Sequence, residues 1–512
     1  MKKLLLSIFV AASFLSSCDM NEIEPGVIPS GNGIQTAVES EYFRNNLYSS
    51  LRAIMVGNYI TDTELEMDKF VGLLGNGNRG MYLNTATVNS SSECTTDGYN
   101  GCYQVLKNVN FMISGSEGLL ASGTLTADDA ASVKRYLGET YFIRAYLYFY
   151  LFDHFCQPYS AARGDQPALG LSIVTTYDPT GDTSKYPGRS TQNEVKKLIF
   201  DDLSKAYDAL AEFEQTNKTN CRPSAPYLST YAVAAMQARA AMVFQDYALA
   251  ITKANYVINS NLFALCTGEA YKNMWSQDAG SELLFVPFTD ASEADYIGSL
   301  NDAWNYYATY PTRVDYIPTY AAYSAYDQDN DIRFESFFES LNITVSGNQY
   351  DVYAFTKFPG NTTLINGTDY YKNKPKPFRA SEMYLILAEA SAMDGATKNE
   401  SNANTALNTL RAARITGYTN EANSGQGLIN AIREERAKEL IGEGLRMSDM
   451  RRWNLGFTRS NSYPDAPEVE DIIISSSATT SFSPGDYKYT WPIPAAEMQI
   501  NPQLKGQQNP GY

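Results

Sequence analysis

The side chains best suited to catalysis are scarce in this chain of 512 residues. Its single histidine, His154, lies in the stretch Leu151-Phe-Asp-His-Phe155, and no motif supplies it with catalytic partners. One histidine nearly excludes metal sites built from several imidazoles and triads that use histidine as general base. Because a cation is favourable near the C-terminus of a helix, we predict a structural role for His154 at a helix end.

Three acidic residues at alternate positions, Asp327, Asp329 and Asp331, have the spacing of calcium ligands. An EF-hand also requires a glycine at the sixth position of its loop and an acidic ligand at the twelfth. Counted from Asp327, those positions hold Ile332 and Phe338. We therefore interpret the aspartates as a solvated turn and predict no metal site.

Signatures of nucleophilic catalysis, zinc hydrolysis and nucleotide binding do not occur in the sequence. Carboxylates are so numerous, with 57 Asp and Glu residues, that pairs of them carry no information about glycosidase chemistry. The sequence therefore predicts that the protein is not an enzyme and has no cofactor.

The charge balance limits the classes of partner that the protein is expected to bind. The chain has 40 Lys and Arg residues against 57 Asp and Glu, a net charge of −17. Such a chain repels phosphate backbones and anionic lipid surfaces, so we expect no nucleic-acid partner. Tyrosine is abundant, at 38 residues, and its apolar face and hydroxyl suit both recognition surfaces and half-buried helices.

The N-terminus has the features of a lipoprotein signal peptide, which we assign to residues 1–17. Two lysines precede an apolar run, Leu4 to Leu15, that is too short to span a bilayer. The run ends in Leu15-Ser-Ser-Cys18, which resembles a bacterial lipobox with Cys18 as the lipidated residue. The alternative is an ordinary secretory signal that happens to contain a cysteine.

Residues 18–35 follow as the lipidated cysteine and a polar, flexible tether. Acidic residues directly after Cys18 (Asp19, Glu22 and Glu24) resemble the tag that sends lipoproteins of Bacteroidota to the outer face of the outer membrane. No later stretch is apolar for long enough to span a membrane.

A mainly helical framework must position the remaining residues. The stretch 131–155 has apolar residues at steps of three and four, and helical patterns recur near 36–56, 100–114, 191–213, 227–260, 380–394, 402–414 and 426–453. Within 237–251 the pattern predicts helix, tight turn and helix, the unit of tetratricopeptide arrays. By contrast, 261–379 and 457–512 are rich in turn residues and predict loops with a few short strands.

Five cysteines remain after Cys18: Cys94, Cys102, Cys156, Cys221 and Cys266. An odd number leaves at least one thiol free in an oxidising compartment. Cys94 and Cys102 are close enough in sequence for a loop disulfide, which the sequence alone leaves open.

A charged cluster at 433–453 carries the strongest resemblance to a known family. Charges of both signs lie three or four residues apart there, so the pattern alone predicts a salt-bridged helix that Gly444 interrupts before a second one. The cluster resembles the signature of SusD/RagB-type outer-membrane lipoproteins, and four further motifs agree with it. The residues are Arg433-x-x-Arg436-x-x-Glu439-Leu440-x-x-Glu443-Gly444-x-Arg446-x-x-Asp449-x-x-Arg452-Trp453, Glu139–Phe149, Arg379–Glu389, Leu407–Arg414 and the C-terminal Trp491-Pro-Ile-Pro494 to Tyr512.

This resemblance implies one SusD-like domain over residues 36–512. Its tetratricopeptide-like helical scaffold would be formed by about 36–260 and 380–455, and its irregular ligand-binding region by about 261–379. The resemblance also implies a surface lipoprotein that covers a SusC-like TonB-dependent transporter and delivers glycans to it. The charged motifs then belong to the scaffold, as do Trp453 and Trp491, and Trp275 is expected in the core.

The sugar-binding residues are predicted with the help of the same resemblance, because in the family stacking aromatics often come from the irregular region and from the loop before the second helix. Trp304, Tyr306 and Tyr307 lie in the irregular region, and Asp302 and Asn305 beside them are candidate partners for sugar hydroxyls. In the other segment, Tyr99 occupies a position where many members carry tryptophan. The alternative is that these tyrosines pack the irregular region onto the helices.

The sequence leaves two other functions open. Some family members serve peptide transport, so the ligand could be a peptide or glycopeptide. The protein could also be a structural lid with little affinity of its own, which the shortage of tryptophan outside the scaffold motifs favours.

Overall fold

The computed structural model describes residues 33–75, 80–292, 314–364 and 372–512. Helices dominate these residues, as the sequence predicts. Their bounds are α1 (Ala37–Ile54), α2 (Asn58–Glu66), α3 (Met81–Asn84), α4 (Glu93–Ala121), α5 (Ala127–Phe155), α6 (Gln192–Glu214), α7 (Thr230–Val243), α8 (Tyr247–Ile258), α9 (Gly268–Gln277), α10 (Tyr320–Tyr323), α11 (Ile332–Phe337), α12 (Ala380–Ala392), α13 (Glu400–Arg414), α14 (Gly425–Glu439), α15 (Arg446–Arg452), α16 (Ser475–Ala478) and α17 (Ala495–Ile500).

The helical scaffold is built around α5. From Gly138 to Phe155 every residue of this helix is buried, which identifies it as a core helix with neighbours on all sides. Helices α4 to α8 pack each against the next, α1 packs on α5, and α12 packs on α8, α13 and α14. This succession of neighbouring helices resembles the stacking of helical repeats.

Local signals set several helix boundaries. The Thr36 hydroxyl accepts a hydrogen bond from the Glu39 backbone N–H, and the Glu39 carboxylate accepts one from the Thr36 backbone N–H, a capping box that begins α1. Thr191 and Glu194 do the same for α6. Between α7 and α8, Gln245 adopts φ 58° in the tight turn that the sequence predicts.

The strands form short antiparallel pairs. β1 (Phe70–Gly72) pairs with β3 (Tyr316–Pro318), and β2 (Leu283–Phe285) pairs with β6 (Phe378–Arg379). β4 (Phe338–Val345) and β5 (Asn348–Phe355) form a hairpin, and β7 (Phe457–Thr458) pairs with β8 (Ser481–Phe482). The pair β1–β3 therefore joins the N-terminal part of the scaffold to the irregular region.

The region predicted as loops, 261–379, contains more regular structure than its composition indicates. Helix α9 and the β4–β5 hairpin, with strands of eight residues each, both lie within it. Helix α2 was also not predicted, because most of its buried residues are polar and include Asp62, Glu64 and Glu66. Buried polar residues produce no apolar period, which is the signal on which the prediction depends.

The charged cluster lies in the scaffold, where α14 and α15 flank a break with Gly442 and Gly444 at positive φ. One ion pair follows helical spacing, since Asp449 binds Arg452 three residues later at 2.9 Å. Glu439, by contrast, binds Arg333, Arg379 and Arg414, which all lie on other elements. For Glu439 the prediction of pairing within the helix was wrong, because spacing along one helix says nothing about tertiary partners.

The five cysteines in the part of the chain that the structure describes are all free, and Cys221 is the one of these five that is not buried. Cys94 and Cys102 both lie on α4, eight residues apart. At about 1.5 Å per helical residue they are separated by roughly 12 Å, whereas disulfides need Cα atoms within about 7 Å. The structure therefore excludes a bridge between them in this conformation. Among the described helices, none is both long and apolar enough to cross a membrane.

Candidate functional site

The five residues predicted at 302–307 (Asp302, Trp304, Asn305, Tyr306 and Tyr307), together with Cys18, lie outside the described residues. The structure does describe both ends of the chain that lead into 293–313. The downstream end is β3, which is held in register on β1 with Val71 opposite Ile317. Two further backbone bonds, from Leu73 to Asp315 at 2.9 Å and from Thr319 to Lys69 at 2.8 Å, extend this pairing on both sides.

A C-terminal segment closes the other edge of β1. Leu73 forms an antiparallel bridge with Ile473, and the backbone bonds Leu74 to Ile472 and Ile474 to Gly72 measure 2.8 and 2.9 Å. The isoleucine run that the sequence places in an irregular tail therefore serves as a third strand-like partner. Segments far apart in sequence are fixed side by side where β3 begins.

The upstream end is anchored to the first helix. The Arg52 guanidinium, at the end of α1, donates a hydrogen bond to the carbonyl oxygen of Phe288. Two residues later Asp290 caps a turn, since its carboxylate accepts bonds from the backbone and hydroxyl of Ser292 at 2.9 and 2.6 Å. The Phe288 side chain is 51% exposed, so an apolar ring is open to solvent at this end.

Tyrosines cluster directly after β3. The ring centroids of Tyr323 and Tyr353 are 4.8 Å apart, and Tyr320 and Tyr463 lie 5.5 and 6.2 Å from Tyr323. We call these four residues the tyrosine wall. Tyr323 and Tyr463 are buried, whereas Tyr320 and Tyr353 are half-buried and keep part of their rings accessible.

Hydrogen bonds fix the two buried rings of the tyrosine wall. The Tyr323 hydroxyl donates to the Asp465 carboxylate at 2.7 Å, and the Tyr463 hydroxyl donates to the Pro318 carbonyl at 2.7 Å. Burial, and then the Asp465 carboxylate, raises the pKa of Tyr323, so that this hydroxyl remains a donor at neutral pH. The wall therefore offers fixed aromatic surface beside an exposed carboxylate.

Sequence reasoning missed the tyrosine wall. Tyr320, Tyr323 and Tyr326 recur every three residues in a stretch that we predicted as loop, and this spacing was the available signal. Tyr353 and Tyr463 come from β5 and from the C-terminal segment, so no local pattern connects them to the others.

Tyr99 does not fit its predicted role. Its side chain is 3% exposed and packs between Tyr103 and Phe155, with ring centroids at 4.6 and 5.1 Å. A sugar could not reach either face in this conformation. The position on α4 faces α5, so that the aromatic ring fills the interface between the helices.

The aromatic residues assigned to the scaffold are buried as expected. Trp275 and Trp491 are each 1% exposed, and Trp453 is 8% exposed. His154 is buried at the end of α5, where its ring stacks on Tyr150 and also contacts Trp491. Burial lowers the pKa of His154, so it is neutral at neutral pH, and the expected cation at the helix end is wrong.

The described residues contain no group of His, Cys, Asp or Glu side chains that could hold a metal ion. Asp327 and Asp329 form an exposed turn, in agreement with the sequence. Asp331 does not share this environment. Its fully buried carboxylate begins α11 and pairs with Arg333 at 2.8 Å.

Two family models match separate parts of the chain. The SusD family matches residues 300–512, and a family described as starch-binding and associating with the outer membrane matches residues 41–240. No curated protein matches the sequence.

Solved structures match over nearly the whole length. A SusD superfamily protein from Bacteroides thetaiotaomicron is 25% identical, with a TM-score of 0.75 over 93% of this chain and 100% of that one. A SusD-like carbohydrate-binding protein from Bacteroides vulgatus is 19% identical, with a TM-score of 0.71 over 93% and 98%. A laminarin-binding SusD-like protein is 18% identical, with a TM-score of 0.66 over 93% and 100%, and these two show the fold alone.

Proposed function

Because the chain belongs to the SusD/RagB family, we propose that it is a surface-exposed lipoprotein that captures oligosaccharides or polysaccharides and delivers them to a SusC-like TonB-dependent transporter. The observation that carries the proposal is the match of two models of this type over residues 41–240 and 300–512. Family members are binding proteins and not enzymes. The description of the N-terminal match as starch-binding and the laminarin-binding relative support glycan as the ligand class.

We assign the ligand site to the segment 301–307 and the neighbouring tyrosine wall. Trp304, Tyr306 and Tyr307 stack on sugar rings, and Asp302 and Asn305 bind hydroxyls. We add Tyr320 and Tyr353 to this site, because both are half-exposed and contact Tyr323, and Tyr320 follows the segment directly after β3. Aromatic faces with a few polar groups are the usual lining of such sites.

The remaining assignments follow from the N-terminal sequence and the family. Cys18 carries the lipid anchor in the outer membrane, residues 19–35 act as the tether, and residues 36–512 form one domain that covers the transporter. In intact cells, Cys18→Ala should release the protein from the membrane. Continued surface attachment of that variant would overturn the anchor, and purification without any large β-barrel from mild detergent would overturn the transporter complex.

The ligand is tested by calorimetric titration of the soluble form, residues 19–512, with maltohexaose, laminarihexaose, larger polysaccharides and peptides. Binding of a saccharide that Trp304→Ala weakens on the order of tenfold or more is the expected result. Tyr42→Ala is the matched control, since Tyr42 is 66% exposed on α1. Binding of peptides alone, or of nothing by a folded protein, would contradict the proposal and favour a peptide carrier or a structural lid, respectively.

A further inference from the structure

An open cleft lies at the C-terminal tail. It has a volume of about 590 Å³, which is within the range of small-molecule sites. Its walls come from the loop after α5 (157–163), the turn at Gln245, the end of α15, the segment 485–490 and the tail residues 509–510. We call it the tail cleft. None of its lining residues belongs to the tyrosine wall.

The walls of the tail cleft are held by buried hydrogen bonds. Asn509 donates to the carbonyl oxygens of Phe155 and Trp491 at 2.9 and 2.7 Å and accepts from Arg189 at 2.8 Å. Arg451 also ties the end of α15 to the loop after α5 through the Asp153 and Cys156 carbonyls. The cleft is therefore preformed, which reduces the ordering cost of binding.

An open aromatic face lines the cleft. The Tyr487 side chain is 47% exposed, although its ring also contacts Tyr512 edge-on with centroids 5.1 Å apart. Gly511 supports this arrangement, because it has φ +92° and a Cβ atom there would lie 2.3 Å from the Tyr487 ring. The tail thus contacts one part of the Tyr487 ring, and the rest of the ring is exposed in the cleft.

Polar side chains line the same cleft as this ring. Thr490 is one of them, and the residue as a whole is 4% exposed. Within the part of the chain that the structure describes, the exposed Asn454 amide makes no side-chain hydrogen bond. The Gln245 amide has only a 3.5 Å contact with the Tyr159 carbonyl. These side chains are therefore available to donate hydrogen bonds to a bound ligand or accept them from it.

We propose that the tail cleft is a second saccharide-binding site, in which a sugar ring stacks on Tyr487 and its hydroxyls bind Thr490, Asn454 and Gln245. A sugar ring presents both apolar C–H faces and hydroxyls, which matches an aromatic face surrounded by amides and a hydroxyl. This site rests on the proposed function and extends it. A long glycan that is held at two places is retained more firmly than a glycan held at one.

The test uses the soluble form with the same hexasaccharides, in the native chain and in a Trp304→Ala background. In both, Tyr487→Ala should weaken binding at one site on the order of tenfold, whereas Tyr487→Phe keeps the ring and should bind as the native chain does. Asn454→Gly removes the amide without straining the backbone, since Asn454 has φ 51°, a conformation that glycine adopts readily. It provides a second variant if Tyr487→Ala loosens the tail, and Tyr42→Ala is again the control.

The outcomes separate the two proposals. Saccharide binding that remains in Trp304→Ala, and that Tyr487→Ala or Asn454→Gly then weakens on the order of tenfold, supports the tail cleft. Binding that Trp304→Ala abolishes, and that neither cleft variant changes, overturns the tail cleft and leaves the proposed function intact. A folded native chain that binds no saccharide overturns both.

Discussion

Arg379 and Glu439 form an ion pair that is closed off from solvent, with 2.8 Å between Nη1 and Oε1 and side chains that are 1% and 0% exposed. The pair joins β6 to the end of α14. Arg414 from α13 and Arg333 from α11 bind the same carboxylate at 2.9 and 3.1 Å. One glutamate of the family motif thus connects the scaffold to the irregular region from three directions.

Glu439→Ala should therefore lower the free energy of unfolding by about 3–5 kcal/mol, because it leaves buried guanidinium groups without their counter-charge. Urea unfolding followed by circular dichroism measures the change. Glu434→Ala, an exposed position on the same helix, is the control and should change stability by no more than about 0.5 kcal/mol. Equal effects of the two variants would contradict the role assigned to the buried network.

The buried carboxyl group of Asp62 on α2 should make the free energy of unfolding fall as the pH rises. Burial, followed by the Glu93 and Asp97 carboxylates, raises the pKa of Asp62 to about 8 in the folded state. In the unfolded chain an aspartate titrates near pH 3.9, so between about pH 4 and 8 the folded state binds the additional proton. The contribution of Asp62 is therefore fully present below about pH 4 and is lost as pH rises through about 8.

Asp62→Asn removes this titration. Relative to the native chain, the variant should gain on the order of 1 kcal/mol or more at pH 8–9 and much less at pH 5. Urea unfolding at pH 5, 7 and 9 measures the difference, with Glu434→Gln as an exposed control. A gain that is the same at all three pH values would show that Asp62 does not titrate in this range.

The apolar periods of the sequence predict most of the long helices, because these helices bury apolar residues that recur at helical spacing. Prediction from spacing misses a helix whose buried residues are polar, as in α2. It also fails to give the ion-pair partners of a residue such as Glu439, because these partners lie on other elements. The tyrosine wall illustrates the same limit. Tyr320 and Tyr323 are neighbours in sequence, but Tyr353 and Tyr463 join them only through β5 and the C-terminal segment. Pairings between distant segments leave no local period in a single sequence.

In the soluble form, residues 19–512, all five thiols should be reduced and slow to react. A thiol reagent should label five cysteines after unfolding, and in the native protein Cys221 should react first because it alone is not buried. Its reaction should also be slow, since burial, followed by the Glu214 carboxylate, raises its pKa to about 12. Mass spectrometry of the labelled protein measures the number of labels and identifies the cysteine that reacts first. Fewer than five labels on the unfolded chain would indicate a disulfide that the structure does not contain.

The tyrosine wall should contribute to glycan binding without contributing much to folding. Tyr353→Ala and Tyr320→Ala each remove a half-exposed ring, and we expect each to weaken binding of the preferred saccharide by roughly three- to tenfold in calorimetric titration. Tyr323→Phe provides the structural comparison, because it deletes the buried hydroxyl that binds Asp465 and keeps the ring. That variant should lower the unfolding free energy by about 1 kcal/mol while affinity changes little. If Tyr320→Ala and Tyr353→Ala left affinity unchanged while Trp304→Ala abolished it, the sugar would be confined to the segment 301–307 and the wall would serve packing alone.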